Sequence, residues 1–214
     1  MIQLNRTLLF SLLFITPTLS YAKDSLETVL ARMKPETAIA IAYQEKRSMG
    51  LLADDLNASG YFYVSPPETM LKEQLTPDAE IMGAVGKQLY YYKVDDKQRY
   101  QMQMNDSMPM NLHITAFNGL MNGDLAALES VYHIEFNTDD KQWTITLTAK
   151  DYDEEEEEQP LKVIMQGLAE KPANNLVIIE ADGDSTELSL KPECTGKTAQ
   201  ELMNSKLKIL TGQP

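Results

Sequence analysis

Hydrophobic and polar residues alternate with period two along most of this chain. The sharpest case is 143–148, where Trp143, Ile145 and Leu147 interleave with Thr144, Thr146 and Thr148. Such alternation predicts a strand with one face on an apolar volume and the other in water. Residues 99–104 repeat the pattern, with Tyr100, Met102 and Met104 on one side and Arg99, Gln101 and Gln103 on the other. Further strands are predicted at 37–49 and 59–64, the second ended by Pro66 and Pro67. Residues 81–85 and 89–94 flank Gly86 and Lys87, a tight hairpin turn, and Asp95, Asp96 and Lys97 make the next turn. Strands at 131–136 and 143–148 form a hairpin around residues 137–140. Strands at 161–166 and 176–180 follow, and Asp182-Gly183 turns into a last strand at 186–190.

Helical spacing is rarer. Asp24 or Ser25 can cap a first helix carrying Leu26, Val29, Leu30 and Met33, which Pro35 stops. Residues 111–121 read as a second helix, ended by Gly123 in a left-handed cap. Asp124 then caps a short third helix with Leu125 and Leu128. Thr198 and Glu201 have the spacing of a capping box for a C-terminal helix. The expected class is mainly β with some α: a curved antiparallel sheet with a few short helices laid on it.

The N-terminus reads as a secretory signal peptide, 1–22. Arg6 is its only charge, 7–19 is almost wholly apolar, and Ser20-Tyr21-Ala22 supplies a small-x-small cleavage pattern. The following residue is Lys23, which offers no thiol for a lipid anchor. An exported product is expected, with 23–214 forming one domain large enough to build its own core. The net charge of −13 opposes binding to nucleic acid or anionic headgroups by charge alone. The single cysteine, Cys194, rules out an intramolecular disulfide.

The search for chemistry finds no G-x-S-x-G elbow and no H-E-x-x-H helix, so no catalytic residue, metal ligand or cofactor is assigned and an enzyme is not expected. Residues 83–87 resemble part of a phosphate loop, yet no Ser or Thr follows Lys87, and strands flank the segment. His113 and His133 read as surface histidines. The acidic run 151–158 reads as a solvated loop, or as an electrostatic dock for a basic partner.

The apolar stripes admit two readings. Phe62, Val64, Met70, Met102, Met104, Trp143, Ile145 and Leu147 on the sheet, with Leu112, Phe117, Leu120 and Met121 on the helix, make either a filled core or the wall of a ligand cavity. Twelve methionines raise the cavity reading, because thioether side chains adapt to variable apolar shapes.

The segment Gly60-x-Phe62-x-Val64-x-x-Pro67 resembles a strand of the LolA-like outer-membrane lipoprotein carriers. Residues 77–88, 118–128, 143–147 and 178–190 resemble, in order, that family's second strand pair, its helical segment with a central Gly-Asp, its W-x-L-x-L strand and its closing hairpin. The resemblance implies an open, incomplete antiparallel β-barrel whose helices cover the concave face. It further implies a periplasmic carrier of the acyl chains of a lipoprotein or envelope lipid, moving toward the outer membrane. An inner-membrane donor and an outer-membrane acceptor would be its partners; nucleic acid would not, and a monomer is expected. The chain departs from the family pattern in having only Lys72 basic between Ser65 and Lys72, and in following its W-x-L-x-L strand with an acidic run. These departures resemble a divergent branch with a dedicated cargo. The alternative is an interaction module of an envelope assembly that docks through its acidic loop.

Overall fold

The computed structural model describes residues 24–66, 69–104, 110–150 and 160–212, with side chains at 110–114, 160 and 161 outside that description. In chain order the elements are α1 (Leu26–Met33), β1 (Ile39–Ser48), β2 (Leu56–Ser65), β3 (Thr69–Thr76), β4 (Glu80–Val85), β5 (Gln88–Lys93) and β6 (Gln98–Gln103). Then come α2 (Met110–Asn122), α3 (Leu125–Val131), β7 (Tyr132–Thr138), β8 (Gln142–Ala149), β9 (Pro160–Leu168), β10 (Ala173–Glu180), β11 (Ser185–Thr195) and α4 (Gly196–Thr211).

The strands form one 11-stranded antiparallel sheet in the order β6-β5-β4-β3-β2-β1-β11-β10-β9-β8-β7. Two runs of consecutive hairpins are joined where β1 pairs with β11. Among the described residues, β6 and β7 end the sheet as unpaired edges, so the barrel is incomplete.

Every strand presents alternate residues to opposite faces. On one face Ile41, Tyr43, Phe62, Val64, Trp143, Ile145, Leu147, Val163, Met165, Leu176 and Leu188 make a continuous buried cluster with residues of α1, α2 and α3. This is the concave face. The side chain of Ser25 caps α1 by accepting the Thr28 amide at 3.2 Å. Asp24 instead ties α1 to the β9–β10 turn. It takes the Arg32 guanidinium at 2.7 Å and the Glu170 amide at 3.1 Å. Those two donors hold its carboxyl below the usual aspartate range.

The other face carries a second cluster: Ala38, Ala40, Tyr63, Leu71, Ile81 and Tyr92, packed under Ala199, Met203 and Leu210 of α4. The spacing of those α4 residues is helical, so one stripe of α4 is buried. A charged clasp assists it. Glu73 is buried, accepts the Tyr63 hydroxyl at 2.9 Å and pairs with Lys206 at 2.6 Å. Three helices therefore cover the concave face, and α4 backs the sheet from outside.

Most expected elements are present, one strand is additional, and two expectations are corrected. Strand β3 was not anticipated. The capping box is not formed: α4 begins at Gly196, Thr195 is its N-cap, and Thr198 lies within the first turn. Of the two proposed caps for α1, Ser25 takes the role. Finally, β6 is an edge strand whose six residues are all exposed, so Tyr100 and Met102 do not face a closed apolar volume.

Candidate functional site

The residues singled out from sequence divide into two groups on the concave face. Phe62, Val64, Leu120, Met121, Trp143, Ile145 and Leu147 are buried in one cluster, the last three at 0% exposure, and Met70 and Phe117 pack against it. The Phe117 ring meets the Phe62 ring at 5.3 Å, which seats α2 over β2. The indole of Trp143 donates to the carbonyl of Lys171 at 3.0 Å, beside the anchor of α1. The structure thus brings these nine together beneath or beside the helices, where they pack as core. Met102 does not join them, being 47% exposed on β6, and Met104 is half-buried just beyond that strand. Leu112 lies in α2, and its side chain is outside the described residues.

Register extends this face past the helices. One transverse row runs Tyr100, Tyr91, Met82, Lys72, Phe62, Ile41 from β6 to β1, and a second runs Met102, Leu89, Ala84, Met70, Val64, Ile39. Met70, Met82, Leu89 and Tyr91 are half-buried, and Tyr100 is 53% exposed. The concave face therefore has a closed half under α1–α3 and an accessible apolar half on β3–β6. Sequence reasoning missed Met82, Leu89 and Tyr91. Their alternation within the hairpin at 81–94 was available as a signal.

Polar groups punctuate the accessible half. Glu45, with a side chain 1% exposed, pairs with Lys72 Nζ at 2.5 Å and with Arg47 Nε at 2.5 Å. Burial pushes the Glu45 carboxyl up, but Lys72 and Arg47 together outweigh it and leave the group below the usual glutamate range. Glu80 accepts the Tyr91 hydroxyl at 2.7 Å, and this bond with partial burial raises the phenol to about 12.

Other sequence candidates fall elsewhere. Residues 83–87 lie in β4 and its turn, with Gly86 at φ +55° and β5 following, so no helix N-terminus meets them. His133 is exposed on β7, and the His113 side chain is outside the described residues, as is the acidic run 151–158. Cys194 is a half-buried free thiol on the outer face. Among the described residues, no group of three or more His, Cys, Asp or Glu gathers as a metal site. Among them, no helix is long and apolar enough to cross a membrane.

Residues 20–181 match the sequence model of the family described as outer membrane lipoprotein carrier protein LolA-like. The chain belongs to this family. Its fold is similar to that of a LolA superfamily protein from Nitrosomonas europaea, at 11% identity over 78% of this chain and 89% of that one, with a TM-score of 0.42. It is also similar to an uncharacterized conserved protein from Thermus thermophilus, at 12% identity over 83% and 92%, with a TM-score of 0.48. No curated protein matches the chain. Family membership and the open sheet with its helical cover agree with the fold that the sequence resemblance implied. LolA-like proteins are carriers in general, so this protein falls in a carrier family rather than an enzyme family.

Proposed function

We propose that this protein is a periplasmic carrier that binds the acyl chains of a lipoprotein or envelope lipid on its concave face and moves them toward the outer membrane. The observation that carries this reading is the accessible apolar wall of Met70, Met82, Leu89, Tyr91, Tyr100 and Met102, continuous with the core under the helices. Each methylene transferred from water to such a wall gains about 0.8 kcal/mol, so a long acyl chain gains several kcal/mol even when half covered. Methionine suits the task because its unbranched thioether repacks around chains of different length.

The acyl chain lies along β3–β6 and reaches Phe62, Val64 and Phe117 where the helices begin. Movement of α2 over β2 would extend the site toward Leu120, Met121, Trp143, Ile145 and Leu147. Transfer needs no nucleophile or metal, only a donor and an acceptor that alter the exposure of this wall.

Leu89→Glu tests the assignment. It places a carboxylate in the accessible wall without touching the closed core. The variant should keep its thermal midpoint within a few degrees and lose binding of a fluorescent fatty-acid analogue by more than roughly tenfold. Unchanged binding would place the acyl site elsewhere.

A further inference from the structure

The apolar rows of the concave face are broken by an unusual charge arrangement. Lys72 stands between Phe62 and Met82 in one row, with Met70 beside it on its own strand and face. Its Nζ lies 5.0 Å from the centroid of the Tyr43 ring and bonds one oxygen of Glu45, whose other oxygen takes Arg47. One buried carboxylate therefore serves two cations.

Donor capacity exceeds what the protein uses. An ammonium has three N–H groups and a guanidinium five. Lys72 spends one on Glu45, and Arg47 spends its Nε–H there; neither makes another hydrogen bond among the described residues. The Tyr43 hydroxyl is also fully buried and has no partner among the described residues. The neighbouring charges on this face are already engaged. Glu80 accepts the Tyr91 hydroxyl, and Lys93 pairs with Asp96 at 3.1 Å. The Lys72 side chain is 14% exposed, so its remaining donors have little water to satisfy them. A partly desolvated cation with free donors, set in an apolar wall, is the environment in which an oxyanion binds well.

We propose that the cargo is an amphiphile with an anionic head, a carboxylate or phosphate, and that Lys72 and Arg47 hold that head while the wall of β3–β6 holds its chain. Glu45 positions the two cations, and the Tyr43 hydroxyl supplies a further donor when the head is seated. This inference rests on the carrier reading above and narrows its cargo.

The test uses the mature chain loaded with the neutral reporter N-phenyl-1-naphthylamine. The reporter is displaced in turn by hexadecanoate, hexadecyl phosphate, hexadecan-1-ol and hexadecylammonium. The native protein should prefer at least one anion over the alcohol by roughly tenfold or more, as a charge-assisted hydrogen bond gives. Whichever anion ranks first identifies the head. Lys72→Met should bring anion and alcohol within about twofold of each other, while Lys191→Gln, on the outer face, should change no ranking. Should Lys72→Met fail to fold, Arg47→Gln at a half-exposed side chain reads the same preference, which should fall severalfold. Equal displacement by all four probes, or an anion preference that survives these substitutions, overturns the head-group site and leaves the carrier reading standing. Failure of the reporter and of every probe to bind refutes both.

Discussion

Replacing Ile145 by alanine decides whether the space beneath the helices is filled. Ile145 is 0% exposed, sits between Phe136 and Met165 in register, and belongs to the cluster that includes Leu120, Leu147 and Leu176. The change removes three carbons. At about 0.8 kcal/mol each, the lost transfer term is about 2.4 kcal/mol. A residual cavity adds about 24 cal/mol per Å³, which brings the expected loss to between about 2.4 and about 5 kcal/mol. Urea unfolding measures it as a lower midpoint at unchanged slope. A loss below about 1 kcal/mol would refute the reasoning, because only a loosely filled site gives up three buried carbons so cheaply. In that case the helices would already roof an empty cavity, and the acyl site would lie there instead of on β3–β6. The same geometry makes Ile145→Glu a folding mutation: it would bury an unpaired carboxylate in the closed core.

Two further perturbations probe the supports of this face. A Cβ on Gly60 would fall 1.8 Å from the Glu73 carbonyl oxygen, so Gly60→Ala must break the β2–β3 pairing; we expect a loss above roughly 4 kcal/mol or no soluble product, read from yield and urea midpoint. A midpoint near that of the native chain would show that the strands separate easily there. The Glu45 carboxyl is held below its ordinary value, so its contribution to stability is present above the unfolded glutamate pKa of about 4.3 and is lost as pH falls through the folded value. Urea midpoints taken from about pH 7 down to about pH 3 should therefore fall more steeply on the acid side for the native chain than for Glu45→Gln. Parallel curves would show that the ion triad adds nothing to folding.

The strand hairpins were legible because their alternation is clean, as in Trp143, Ile145 and Leu147 against the three intervening threonines. Strand β3 was not, because burial there is not confined to apolar side chains. Glu73 on the outer face and Lys72 on the concave face are both enclosed by ion pairs, and that erases the period-two contrast. The spacing of Thr198 and Glu201 pointed to a C-terminal helix, although the capping box itself does not form. Nothing in the local sequence said which face of the sheet that helix would cover, since that depends on the two residue sets of β1–β4 meeting different helices. Many apolar concave residues could be listed in advance, though not Met82, Leu89 and Tyr91, and those listed could not be divided into closed core and accessible wall. That division follows from where α1–α3 end over the sheet, a property of the assembled fold. The charged triad was invisible for a related reason: Glu45, Arg47 and Lys72 come from two strands that do not pair with each other.

The central claim is that the concave face carries a hydrocarbon guest. Mature protein purified from its native envelope without detergent, then extracted with organic solvent and examined by mass spectrometry, tests it most directly. The account predicts an acylated compound released in an amount comparable to the protein and absent from the Leu89→Glu variant. Extracts free of any acylated compound above the blank, from protein that remains folded, would contradict it.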